Sequence, residues 1–168
     1  EARQAAGYTT AHFGKWHLGP EPYSPLEHGF DIDIPHSPAP SPLHYGFLAP
    51  WPVWPDEGGT GDHLEDRMAE EAVGFIKHDR RKPFFLNFWL WSVHAPWQAK
   101  PELIAEYRQK ARPDAPQRHP VYAAMCKTMD DAVGTVLDAL ESEGLIEKTI
   151  VIFASDNGPW VVPNRDAS

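Results

Sequence analysis

Apolar positions along the chain change period repeatedly, and each change marks an element. Tyr8 to Phe13 is a strand-prone run, and Gly7 before it reads as the left-handed close of a preceding helix that takes in Glu1 to Ala6. From Leu64, apolar residues recur at helical spacing through Met68, Ala72, Phe75 and Ile76, with Asp62 and Glu65 in a capping-box pattern. A helix is expected over about 63 to 78. Pro83 then opens Phe84-Phe85-Leu86-Asn87-Phe88-Trp89-Leu90-Trp91, a nearly unbroken apolar run that predicts a strand covered on both faces. Pro101 starts a short helical pattern through Leu103, Ile104 and Tyr107. After a proline-broken link from Arg112 to Pro120 comes a longer helix, its stripe formed by Val121, Met125, Met129, Val133, Val136, Leu137 and Leu140. Gly144 ends it, and Ile150-Val151-Ile152-Phe153 reads as a further buried strand.

Leu18 to Gly61 holds ten of the chain's 18 prolines, which predicts a long irregular excursion over the surface without regular structure. The remaining order of strand, helix, strand, helix, strand defines an α/β class: a mostly parallel sheet sandwiched by helices through right-handed crossovers. Ligand sites in such sheets gather beyond the carboxyl ends of the strands.

Composition narrows the function. The 168 residues give room for one domain with a core, and 42% hydrophobic with 23% charged residues is ordinary for a globular chain. A net charge of -9 argues against nucleic acid as partner, so a site for an anion must rely on local cations or a metal. Cys126 stands alone and allows no internal disulfide. No apolar run approaches the roughly 20 residues of a membrane span. The first residues show neither an initiator methionine nor a leader, and the last strand signal lies close to the end. The chain is therefore expected to begin and end inside a domain.

Three candidate groups fall at strand ends. Lys15 and His17, two residues apart after the first strand, put an ammonium and an imidazole on one side of an extended chain, a pairing that suits an anionic substrate with a leaving oxygen. The plainer alternative is a surface lysine and a capping histidine. His94 follows the second strand and reads either as a site residue or as a histidine bonded to backbone. Asp156 and Asn157, in Asp156-Asn157-Gly158, are either a turn or two hard oxygen ligands for Ca²⁺ or Mg²⁺.

Five segments together resemble the sulfatases of the alkaline-phosphatase-like superfamily, in family order along nearly the whole chain. They are Gly7 to Gly19 with its Gly14-Lys15-Trp16-His17 motif, Gly29-Phe30-Asp31, His94-Ala95-Pro96, the helix from Tyr122 through Gly134, and Phe153-Ala154-Ser155-Asp156-Asn157-Gly158. The resemblance implies cleavage of a sulfate ester by a formylglycine whose hydrated aldehyde attacks sulfur beside Ca²⁺, with Mg²⁺ as the alternative ion. It implies that Lys15 contacts the sulfate and the formylglycine, that His17 bonds the formylglycine hydroxyl and helps expel sulfate, and that His94 faces the leaving oxygen. Asp156 and Asn157 would be metal ligands.

Departures from the family pattern are equally plain. The nucleophile motif, Cys or Ser followed by x-Pro-x-Arg, does not occur in these residues, nor does the early aspartate pair or the later lysine. Cys126 lacks the following proline and arginine and is expected to be a packing residue. Residues 1–168 are thus expected to be the central part of a sulfatase catalytic domain, a partial domain truncated at both ends and inactive alone, with the formylglycine upstream. Trp51, Trp54, Trp97 and Trp160 lie in expected loops, where they either stack on the sugar of a sulfated carbohydrate or close the core. The competing readings are a phosphate or phosphonate ester hydrolase of the same superfamily and a non-catalytic binder of sulfated glycans. Family habit places the parent protein in the periplasm, outside the cell or in the lysosome. Oligomeric state is not legible.

Overall fold

The computed structural model describes residues 2–39, 41–42, 45–52, 59, 61–78, 82–116 and 118–158. Three parallel strands form one sheet: β1 (Thr9–Gly14) in the centre, β2 (Ile32–Ile34) on one side and β3 (Phe84–Trp89) on the other. Helices α1 (Ala2–Ala5), α2 (Leu64–Lys77), α3 (Pro101–Lys110) and α4 (Pro120–Ser142) complete the regular structure, with short 3₁₀ turns at Leu26–His28 and Ile146–Lys148. This is the mostly parallel α/β arrangement expected from the alternation of periods.

Strand register explains which side chains meet. Ala11 pairs with Ile32 and Leu86, and Phe13 with Ile34 and Phe88, so all six present the same face. Onto that face pack Ala69, Ala72, Phe75 and Ile76 of α2 and Ala132, Val136, Ala139 and Leu140 of α4. The buried line of α4 also takes in Ala124, Met125 and Thr128, while Val121, Met129, Val133 and Leu137 flank it half-buried. Small residues hold the centre of the line because α2 and α4 lie directly against one another, where a larger side chain would push them apart. A second cluster, Phe47, Trp51, Leu64, Met68, Trp91 and Met125 among its members, closes the lower end of α2.

Both predicted glycine stops occur. Gly7 (φ +83°) donates to Gln4 O at 2.9 Å, and Gly144 (φ +64°) donates to Glu141 O at 2.9 Å. Four expectations are corrected. The excursion from Leu18 to Gly61 contains a strand after all, β2, whose Ile32-Asp33-Ile34 alternation lets two isoleucines join the helix-covered face. It is pinned by Asp31, whose carboxylate accepts from Thr10 N at 2.8 Å and from Gln4 Nε2 at 2.7 Å. The Thr10 amide bond is the main reason its pKa is lowered. Second, among the described residues α2 and α4 pack on one face of β3, whereas on the other Trp89 is 45% exposed. Third, the capping box does not form: His63 is the N-cap, its Nδ1 accepting from Glu65 N at 3.3 Å, and the Glu65 side chain turns into the interior. Fourth, Ile150 to Phe153 is not a strand. It pairs with nothing among the described residues and Ile150 is 88% exposed, because an apolar run becomes a strand only where a neighbour offers its backbone.

Buried titratable groups set the pH dependence of this fold. His12 and His63 are fully buried, and burial pushes both imidazoles down to about 4, whereas burial raises Glu65 to about 7 against the opposing bonds from Ser92 and Trp91. A depressed histidine makes the unfolded chain bind more protons between about pH 4 and 6.5, so each histidine adds stability as pH rises through that window. Glu65 acts in the opposite sense between about 4.5 and 7, since the folded chain then holds the extra proton. Two groups outweigh one. The protein is expected to lose stability on acidification from pH 6.5 to 4, and His12→Phe to flatten that slope in urea titrations at several pH values. A slope unchanged by the substitution would contradict the assignment.

Candidate functional site

At the carboxyl end of β1 the chain passes close to β3. Gly14 has φ +112°, and a Cβ there would stand 1.9 Å from Trp89 O, so only glycine fits. That approach allows Lys15 N to donate to Trp89 O at 2.7 Å, tying the residue after β1 to the last residue of β3. Trp16 turns inward and is buried, its ring stacked on Trp89 at 5.7 Å and its Nε1 donating to Tyr23 O at 2.8 Å. Lys15 on one side of it is half-buried, and His17 on the other is exposed. Both lie beyond the strand rather than on it.

His94 lies five residues beyond β3, at the same sheet edge. Its backbone N donates to Trp91 O at 2.8 Å, which closes a turn, and its ring is exposed. The ring Nδ1 stands 2.7 Å from Ala95 O; a carbonyl only accepts, so Nδ1 is the donor, and Nε2 is left for another partner. Lys15 thus follows β1 and His94 follows β3, neighbouring parallel strands whose carboxyl ends share the edge at which such sheets hold ligands.

The segment that carries His94 is held from beneath by the first turn of α2. Glu65 Oε1 accepts from Ser92 N at 2.6 Å, His63 Nε2 donates to Gln98 O at 3.4 Å, and Asp66 pairs with Lys100. Gln98 Oε1 in turn accepts from Phe47 N at 2.8 Å. These supports were not read from sequence. The available signal was Glu65 itself, a carboxylate standing three and four positions before Met68 and Ala69 on the buried line of α2.

Asp156 and Asn157 do not join this edge. With Ile150 to Phe153 unpaired they remain exposed, with Asn157 Nδ2 donating to Gly158 O and Ser155 Oγ to Asn157 O. Among the described residues no group of three His, Cys, Asp or Glu side chains comes together to hold a metal ion. Calcium takes about six to eight oxygens, so these two residues alone do not fit it. Cys126 is half-buried on α4, and burial raises its thiol pKa, as for a packing residue. Trp51 is buried and closes the second core cluster, which decides between its two readings in favour of the core. Trp97, 36% exposed, sets its ring edge-on to His119 at 4.9 Å and Tyr122 at 5.9 Å. Trp54 and Trp160 lie outside the described residues.

The described residues form a parallel α/β domain in which Lys15, His17 and His94 follow the carboxyl ends of neighbouring strands. The fold is similar to that of yidJ from Bacteroides fragilis, with a TM-score of 0.63 at 20% identity over 86% of this chain and 40% of the other. A family model described as Sulfatase matches residues 1–167, and the chain belongs to the sulfatase family. The N-acetylgalactosamine-6-sulfatase of Mus musculus is 31% identical over all of this chain and 34% of its own length. A crystal structure of Ps i-CgsB in complex with k-i-k-neocarrahexaose matches with a TM-score of 0.59 at 25% identity, over 82% of this chain and 34% of that one. The chain thus spans about a third of the length of the curated relatives it matches.

Proposed function

We propose that residues 1–168 are the central part of a sulfatase catalytic domain that hydrolyses sulfuric esters, with its nucleophile outside these residues. The observation that supports this reading is the junction of β1 and β3, the two strands that Lys15 and His94 follow, in a chain that matches the family over residues 1–167. In this reading Lys15 holds the sulfate oxygens with its ammonium. His17 lies two residues on and moves a proton at the nucleophile, and His94, with Nδ1–H held by Ala95 O and a second proton on Nε2, donates that Nε2–H to the bridging oxygen, where negative charge grows as the ester breaks. A formylglycine upstream would supply the attacking oxygen. Asp156 and Asn157 are proposed as two ligands of a Ca²⁺ or Mg²⁺ shell completed by residues outside those described. The parent protein is proposed to be lysosomal, secreted or periplasmic, and no helix among the described residues is long and apolar enough to cross a membrane.

Sequencing the gene upstream of the codon for Glu1 tests the reading. It predicts a Cys or Ser followed by x-Pro-x-Arg, with paired aspartates nearer the start. A Thr or Ser nucleophile in another setting would move the assignment to phosphate or phosphonate esters.

The substrate is proposed to be a sulfated carbohydrate. One relative is named for N-acetylgalactosamine and one solved structure is in complex with k-i-k-neocarrahexaose. Trp97, three residues beyond His94, offers an aromatic face held by His119 and Tyr122. In the longer enzyme Trp97→Ala is expected to raise KM for a sulfated sugar about tenfold, roughly 1.4 kcal/mol, and to leave a small aryl sulfate within about twofold. Equal effects on both substrates would remove Trp97 from the sugar site.

A further inference from the structure

We propose that Glu65 is a positioning residue for His94, acting through the backbone of the turn that precedes it; the proposal rests on the role given to His94 above. Glu65 is wholly buried, and its Oε1 accepts from Ser92 N at 2.6 Å, two residues before His94. The same turn is closed from within by His94 N donating to Trp91 O at 2.8 Å. Carboxylate and turn each bond the 91–94 backbone, and together they hold the point from which the His94 side chain starts.

A carboxylate in this place is expensive for the fold. Its Oε2 has no hydrogen-bond partner among the described residues, and it stands on the line of α2 where Leu64, Met68 and Ala69 pack. An apolar residue there would serve packing better, so the useful work of Glu65 is the bond to Ser92. The flanking bonds point the same way: His63 holds Gln98 and Asp66 holds Lys100, both on the far side of His94. The segment is thereby anchored before and after the histidine by one helical turn.

The test compares Glu65→Asp, Glu65→Gln and His94→Ala, singly and combined, in the longer enzyme. Rates are taken per folded molecule with an aryl sulfate. Aspartate is one methylene shorter and draws the oxygen away from Ser92 N, whereas glutamine keeps an acceptor at full reach. E65D is expected to lower kcat at least tenfold with KM changed less than threefold, and E65Q to stay within threefold of the unaltered enzyme. In the H94A background E65D should cost less than twofold more, because the residue it positions is gone. A cost as large in that background as in the unaltered enzyme would show that Glu65 does not act through His94 and would overturn the proposal. So would E65D at full speed. An H94A enzyme as fast as the unaltered one would instead remove the role of His94, and the proposal with it.

Discussion

Replacing Lys15 by alanine in the longer enzyme is expected to lower kcat/KM for a sulfate ester about a thousandfold, roughly 4 kcal/mol of transition-state stabilisation. The geometry supports an effect of this size. Lys15 is half-buried, its backbone is bonded to the last residue of β3, and none of the ion pairs among the described residues takes its ammonium. A lysine whose backbone is anchored and whose ammonium pairs with no carboxylate among the described residues has no ion pair to break when an anion arrives. In a chain of net charge -9 a local cation matters more, since the overall field repels a sulfate ester. Steady-state kinetics of K15A and K15R against one aryl sulfate measure the effect. A loss below tenfold in K15A would return Lys15 to the role of an ordinary surface lysine.

Gly14→Ala is expected to be the most damaging single change to the fold. Two costs act together. The backbone at φ +112° disfavours any side chain, and the new Cβ would overlap Trp89 O, a backbone atom that cannot swing aside. Such strain and overpacking sum to about 4 kcal/mol, or a fall in Tm of about 10 °C for a domain of this size. Relief requires β1 and β3 to part at their carboxyl ends, which breaks the Lys15 N to Trp89 O bond and moves the lysine. Stability and activity should therefore fall together. Gly74→Ala is the control: it lies on the exposed side of α2 with nothing within 4 Å of its Cβ, so a gain of up to about 1 kcal/mol is expected. Thermal unfolding of both variants measures the contrast. Equal Tm values would contradict the close approach at Gly14.

What was legible in the sequence follows from what each signal depends on. The periods of α2, α3 and α4, the apolar run of β3 and the stops at Gly7 and Gly144 are local, and local chemistry decides them. β2 is three residues long inside a proline-rich stretch, too short for periodicity, although Ile32 and Ile34 flanking Asp33 carried its alternation. Ile150 to Phe153 has the composition of a buried strand, yet pairing depends on a neighbour that composition cannot supply. For the site, rank order along the chain placed Lys15, His17 and His94 beyond strands, and the β1–β3 register brings the ends of those strands together. The support under His94 was hidden because Glu65 fits a capping box in sequence, while in the fold His63 takes the cap and frees the carboxylate to turn inward.

The most direct measurement of the central claim is the ratio of kcat/KM for an aryl sulfate to that for the matching aryl phosphate, in the longer enzyme and in its K15A and H94A variants. The account predicts that the enzyme prefers the sulfate, and that both variants lose sulfate turnover by far more than they lose fold stability. Preference for the phosphate, or sulfate turnover indifferent to both substitutions, would contradict it.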